Sequence, residues 1–179
     1  DRRPLICTPM SDIIRIALVD DHRLFRSGIA SLIGDFDRYT IIFEAGDGEE
    51  MIRKINPKSK PHIILLDISM PKMNDIVTAK WLRDNHPDIN IIVLSIFEDA
   101  EKVLTMVRMG VKGYLLKDSE PHEFEDALTM VSRSEVYYPE FVTRHLVDSI
   151  NIDYNLIKLN SREVEFLKLA ATELTYKEI

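Results

Sequence analysis

Cysteine is all but absent: Cys7 stands alone in 179 residues. A single thiol excludes any disulfide framework within the chain, and a reducing compartment, the cytoplasm, fits best. Long apolar runs are missing too. None approaches the roughly 18 residues that suggest a membrane span, so no membrane partner is expected. Basic residues are outnumbered, 23 Lys and Arg against 30 Asp and Glu, for a net charge of -7. That balance argues against a wholly basic nucleic-acid binder but allows a local basic surface. There is no internal repeat and no low-complexity tract. Residues 1–9 (DRRPLICTP) lack the apolar core of a secretory signal, and are read as a leader foreign to the fold; the native start is expected at Met10.

What remains is ordinary globular composition, 45% apolar and 30% charged. From Ile13 to about Ser134, short β-rich runs alternate with amphipathic stretches. The strands are predicted at Ile13–Val19, Thr40–Ala45, Ile63–Leu66, Ile89–Leu94 and Gly113–Leu116. They are almost continuously apolar, as strands buried on both faces should be. Helical stripes fall between them: Leu24, Ile29, Leu32 and Ile33; Met51, Ile52 and Ile55; Ala79 and Leu82; Val103, Leu104 and Val107. A fifth helix is predicted to be capped by Ser119, with Pro121 in its first turn and Phe124, Leu128 and Val131 on its buried side. Five strand–helix repeats imply an α/β fold, a doubly wound five-stranded parallel sheet with right-handed crossovers.

The chemistry sits at the strand ends. Asp20 and Asp21 follow the first run and Asp67 the third, while Ser95 and Lys117 follow the fourth and fifth. In open parallel sheets, ligands bind beyond the carboxyl ends of the strands. If the runs are neighbours, all five side chains meet in one crevice. Clustered carboxylates call for a cation to keep them ionised together, and a lysine beside a hydroxyl suits an anion. A phosphorylatable aspartate needs that combination.

After Val136 the character changes. Tyr137-Tyr138-Pro139 breaks the helical pattern, Glu140–Ile150 reads as a short helix and Asn151–Lys158 as a linker. Asn160 with Glu163, then Thr175 with Glu178, repeat a capping signature that opens two helices joined by a short turn.

These residues resemble a known family. VDDH (Val19–His22), LLDISMP (Leu65–Pro71) and GYLLKDS (Gly113–Ser119) look like the signature blocks of two-component receiver domains, and Leu159–Ile179 is similar to the start of the LuxR-type helix-turn-helix of the NarL/FixJ subfamily. The resemblance implies a flavodoxin-like receiver over 10–135, a linker with a short helix over 136–158, and a truncated helix-turn-helix over 159–179. It implies that Asp67 accepts a phosphoryl group from a sensor histidine kinase. Mg²⁺ would be held by Asp21 and Asp67 directly, by Asp20 mainly through water, and by the Ser69 backbone carbonyl. Lys117 and Ser95 would bind the phosphoryl oxygens, and Tyr114 would be the switch aromatic. The output would be control of transcription by the full-length parent on DNA, through phosphorylation-favoured homodimers, with no enzymatic turnover beyond self-catalysed phosphorylation and dephosphorylation.

Some positions depart from the family pattern. Asp75 stands where a glycine is frequent, Ser95 where threonine is commoner, and Asp118 where many receivers have proline. None removes a catalytic group. Residues 155–179 carry four basic and four acidic side chains, and the helix that reads the major groove is not among them. The 179-residue chain is therefore not expected to bind operator DNA specifically. Two other readings fit the residues less well. An aspartate-nucleophile phosphatase needs a second acid two residues after its nucleophile, where Ser69 stands. A pseudo-receiver serving only as an interaction module would not need the full set of acids, lysine and hydroxyl.

Overall fold

The structure, a computed structural model, describes residues 13–69 and 75–151. In chain order the elements are β1 (Ile14–Val19), α1 (Arg23–Gly34), β2 (Tyr39–Ala45), α2 (Gly48–Lys54), β3 (Ile63–Asp67), α3 (Asp75–Asn85), β4 (Asn90–Ser95), α4 (Ala100–Arg108), β5 (Gly113–Leu116) and α5 (Pro121–Ser132). The sheet is wholly parallel in the order β2-β1-β3-β4-β5. The chain winds outward in both directions from β1, so the crevice at the switch in strand order lies between β1 and β3. β3 is buried along its whole length, as its unbroken Ile-Ile-Leu-Leu run requires. Ile16, Leu18, Ile63, Leu65, Ile92 and Leu94 project from the sheet into a core shared with Ile29 and Ile33 of α1 and Phe124, Leu128 and Val131 of α5.

The predicted strands are all present, with ends displaced by at most one residue. Two helical details differ. Leu24 is 85% exposed, and Phe25 packs against the core in its place. At 100° per residue, Leu24 lies about 140° and 180° around the helix from Ile29 and Ile33, whereas Phe25 lies four residues from Ile29 and shares its face. At α5 the cap is Glu120, not Ser119. Pro121 holds the residue before it extended, and the Glu123 side chain accepts from the Glu120 amide at 2.8 Å.

The compact unit that holds the sheet extends to Pro139. Beyond α5, Tyr137 pairs with the outer edge of β5: its amide donates to the Lys112 carbonyl at 2.8 Å, and its carbonyl accepts from the Tyr114 amide at 3.0 Å. Residues 140–151 form a helix belonging to a separate unit. The expected helix-turn-helix over 159–179, the leader over 1–9 and the turn before Asp75 lie outside the described residues.

Candidate functional site

The crevice groups follow β1, β3 and β5: Asp20 and Asp21, Asp67, and Lys117. At the end of β1, the Asp20 amide still bonds the Ala45 carbonyl of β2 at 3.0 Å. There the pairing stops, and the backbone turns into α1. The Asp20 carboxylate caps that turn, its Oδ1 accepting from the His22 amide at 2.7 Å. Asp20 is buried and Asp21 exposed. Asp67 closes β3, buried, with Oδ1 accepting from the Ser69 amide at 2.8 Å. Candidate ligand atoms of Asp20, Asp21 and Asp67 all lie within 4.8 Å of one another. Sequence reasoning placed these three acids together, and the fold brings them there.

Lys117 follows β5 and reaches back across the strand ends. Its Nζ stands 2.8 Å from Asp67 Oδ2 and 2.7 Å from Asp20 Oδ2. The Asp67 contact is a hydrogen bond. The Asp20 contact is a buried ion pair at Oδ2, the other oxygen of the Asp20 carboxylate. Behind the ammonium lies the Phe25 ring, its centroid 4.8 Å away, a cation–π arrangement. Burial raises the Asp67 carboxyl above its ordinary 3.8, and nearby Asp20 adds to this, although Lys117 and the Ser69 amide oppose it. For Lys117, burial works against the charge, but Asp20 and Asp67 outweigh it and the ammonium is held more firmly than usual.

A hard cation suits this donor set: three carboxylates with candidate ligand atoms within 4.8 Å of one another, two of them buried and one exposed. Lys117 offsets part of the concentrated negative charge and stands beside Asp67, which is what bringing an anionic group to a carboxylate demands.

The remaining predicted residues stand on β4, on β5 and just after β3. Ser95 ends β4, and the adjacent Lys117 amide bonds its carbonyl at 2.7 Å. Its hydroxyl is turned onto its own loop, donating to the Phe97 carbonyl at 2.8 Å and accepting from the Phe97 amide at 3.1 Å. Tyr114 is buried on β5, opposite Val93 of β4. Ser69 is exposed just beyond Asp67.

Two neighbours were not anticipated. Phe25 backs Lys117, and Arg26 donates through Nη1 to the Asp20 carbonyl and through Nε to Glu44 at 2.9 Å. A signal for Arg26 did exist. The first turn of α1 carries no acid but does carry arginine, the wrong sign for the positive end of a helix dipole. A charge placed against its local preference needs a partner elsewhere.

Comparison with known proteins agrees with the geometry. Residues 16–129 match the family described as response regulator receiver domain. The transcriptional regulatory protein DegU of Brevibacillus brevis is 31% identical over 93% of this chain, and the chain covers 66% of that protein's length, just under two thirds. The nitrate/nitrite response regulator protein NarL of Escherichia coli K12 is 35% identical over 92% of this chain and 78% of its own. Among solved structures, a LuxR-family two-component response regulator from Aurantimonas sp. SI85-9A1 superposes with a TM-score of 0.70 at 24% identity, covering 77% of this chain and 98% of that one.

Proposed function

This chain belongs to the two-component response regulators that carry a receiver domain, and on that premise we propose that Asp67 is its phosphoacceptor. The supporting observation is the meeting of Asp20, Asp21 and Asp67 within 4.8 Å, with Lys117 bridging two of them. In the proposed reaction a carboxylate oxygen of Asp67 attacks the phosphorus of a phosphohistidine on a sensor kinase. A new O–P bond forms as the P–N bond breaks, and the electron pair returns to the imidazole. A carboxylate is a weak nucleophile, but phosphoryl transfer depends chiefly on positioning and charge neutralisation. Asp21, Asp67, the water-linked Asp20 and the Ser69 carbonyl are the groups assigned to Mg²⁺, which when bound neutralises charge shared by carboxylates and phosphoryl oxygens.

Lys117 then exchanges its contact with the Asp67 carboxylate for one with the phosphoryl oxygens. Ser95 breaks its two contacts with the Phe97 backbone to donate to the same group, and Tyr114 responds as the switch aromatic. An acyl phosphate brings nearly two negative charges to the crevice. Shifting a population from 1:99 to 99:1 takes about 5.5 kcal/mol of differential interaction, within reach of a doubly charged group gaining new charge-assisted contacts. The expected consequence is altered homodimerisation and DNA binding by the whole protein in the cytoplasm. No helix among the described residues is long and apolar enough to cross a membrane. Intact-mass measurement after treatment with a small phosphodonor and Mg²⁺ tests the assignment. One added phosphoryl, lost in Asp67→Asn, supports it; uptake that survives the substitution refutes it.

A further inference from the structure

We propose that Arg26 is a positioning residue for the acid pair, setting the cation affinity of the crevice without touching the cation. This rests on the reading of Asp20, Asp21 and Asp67 as a Mg²⁺ site. The guanidinium binds the carbonyl of Asp20, which belongs to the peptide joining Asp20 to Asp21. Fixing that carbonyl fixes the plane from which both carboxylates depart. The His22 amide holds the same turn from the other side through Asp20 Oδ1.

Arg26 is itself fixed. Its side chain is only 16% exposed, and Nε donates to Glu44 of β2 at 2.9 Å. The Glu44 carbonyl in turn accepts from Lys54 at 2.7 Å, and Lys54 pairs with Glu50, whose other oxygen accepts from the Gly46 amide at 2.7 Å. A polar strap therefore runs from α2 across the end of β2 to the β1–α1 turn. It stands where the β1–β2 ladder has run out and the backbone has no strand partner to orient it. Outer groups that orient ligands commonly govern metal affinity by 10- to 100-fold.

The sign of the effect separates this role from its alternatives. Arg26 is a cation near a cation site, so as a mere charge its removal would tighten Mg²⁺ binding. As a purely structural group, its removal would lower the melting temperature and leave affinity alone. As a positioning residue, its removal weakens Mg²⁺ binding despite the favourable change in charge.

The test is a Mg²⁺ titration of the full chain by calorimetry and amide chemical shifts, comparing wild type, Arg26→Gln and Arg26→Lys, each under conditions where its amide spectrum is folded. The expected result is a dissociation constant raised about 10-fold in Arg26→Gln. A smaller rise is expected in Arg26→Lys, which keeps the charge but lacks the fork that spans Glu44 and the Asp20 carbonyl. Unchanged or tighter binding in the folded variants, with normal binding by wild type, overturns the positioning role alone. Wild-type chain that binds no Mg²⁺ overturns the reading of the site, and this proposal with it.

Discussion

Asp67 sits where folding works against its ionisation. Its carboxyl is raised above 3.8, first by burial and then by Asp20, with Lys117 and the Ser69 amide only partly compensating. The folded state thus binds that proton more tightly than the unfolded chain. The contribution to stability is favourable below the unfolded value and is lost as pH rises through the folded one. At neutral pH without metal, the ionised group is a liability. Asp67→Asn keeps the volume and removes the charge, so it is expected to raise the melting temperature at pH 7 by a few degrees, corresponding to about 1 kcal/mol. Below pH 3.8 the difference should close, because the group is then protonated in the folded and unfolded states alike. Thermal melts of both proteins across that range check the sign; a variant less stable than wild type at pH 7 would contradict it. The same residues show what the sequence made legible. Asp20, Asp21, Asp67 and Lys117 could be placed together because each follows an apolar run, and parallel strands end on one side. Phe25 could not, and Arg26 was marked only as a charge needing a partner, because their contacts depend on how α1 rotates over the sheet.

At the scale of elements, legibility follows burial. β1, β3, β4 and β5 are buried on both faces and so announce themselves as apolar runs. Helix faces were less certain: Leu24 belonged to the composition of the stripe but not to its phase, and Met106 rather than Leu104 or Val107 joins Val103 among the buried residues of α4. The outer edge of β5 could not have been inferred, since the pairing with Tyr137 involves backbone alone. That edge depends on Gly113. A Cβ there would stand 2.9 Å from Ile92 Cγ1 and 3.2 Å from Cγ2 on the neighbouring strand. A β-branched side chain in the middle of β4 cannot easily yield, so Gly113→Ala is expected to destabilise the fold by about 1–3 kcal/mol. Ile92→Ala removes both of the atoms that crowd the new methyl. Chemical denaturation should show the double variant to be more stable than the two separate losses added together; strict additivity would mean that the crowding is not the cause.

For the molecule as a whole, the acidic crevice and the net charge of -7 make cation binding and stability a single problem. Three acids and one lysine are held together by the fold, and the mutual repulsion of the acids is a standing load on the native state. A ligand that binds only the folded form stabilises it by RT ln(1 + [L]/Kd), about 2.7 kcal/mol at 100 times Kd. Wild-type chain should therefore melt at progressively higher temperature as Mg²⁺ is added. Asp67→Asn starts from a more stable metal-free state but has lost one anionic ligand, so its gain should be smaller over the same range. The two curves of melting temperature against Mg²⁺ concentration are expected to cross. Additions of a monovalent salt matched in ionic strength to the Mg²⁺ series should leave their order unchanged, since general screening relieves repulsion in both proteins. Parallel curves would mean that Asp67 takes no part in holding the cation, and a crossing reproduced by monovalent salt would mean that the crevice responds to ionic strength rather than to a bound divalent ion.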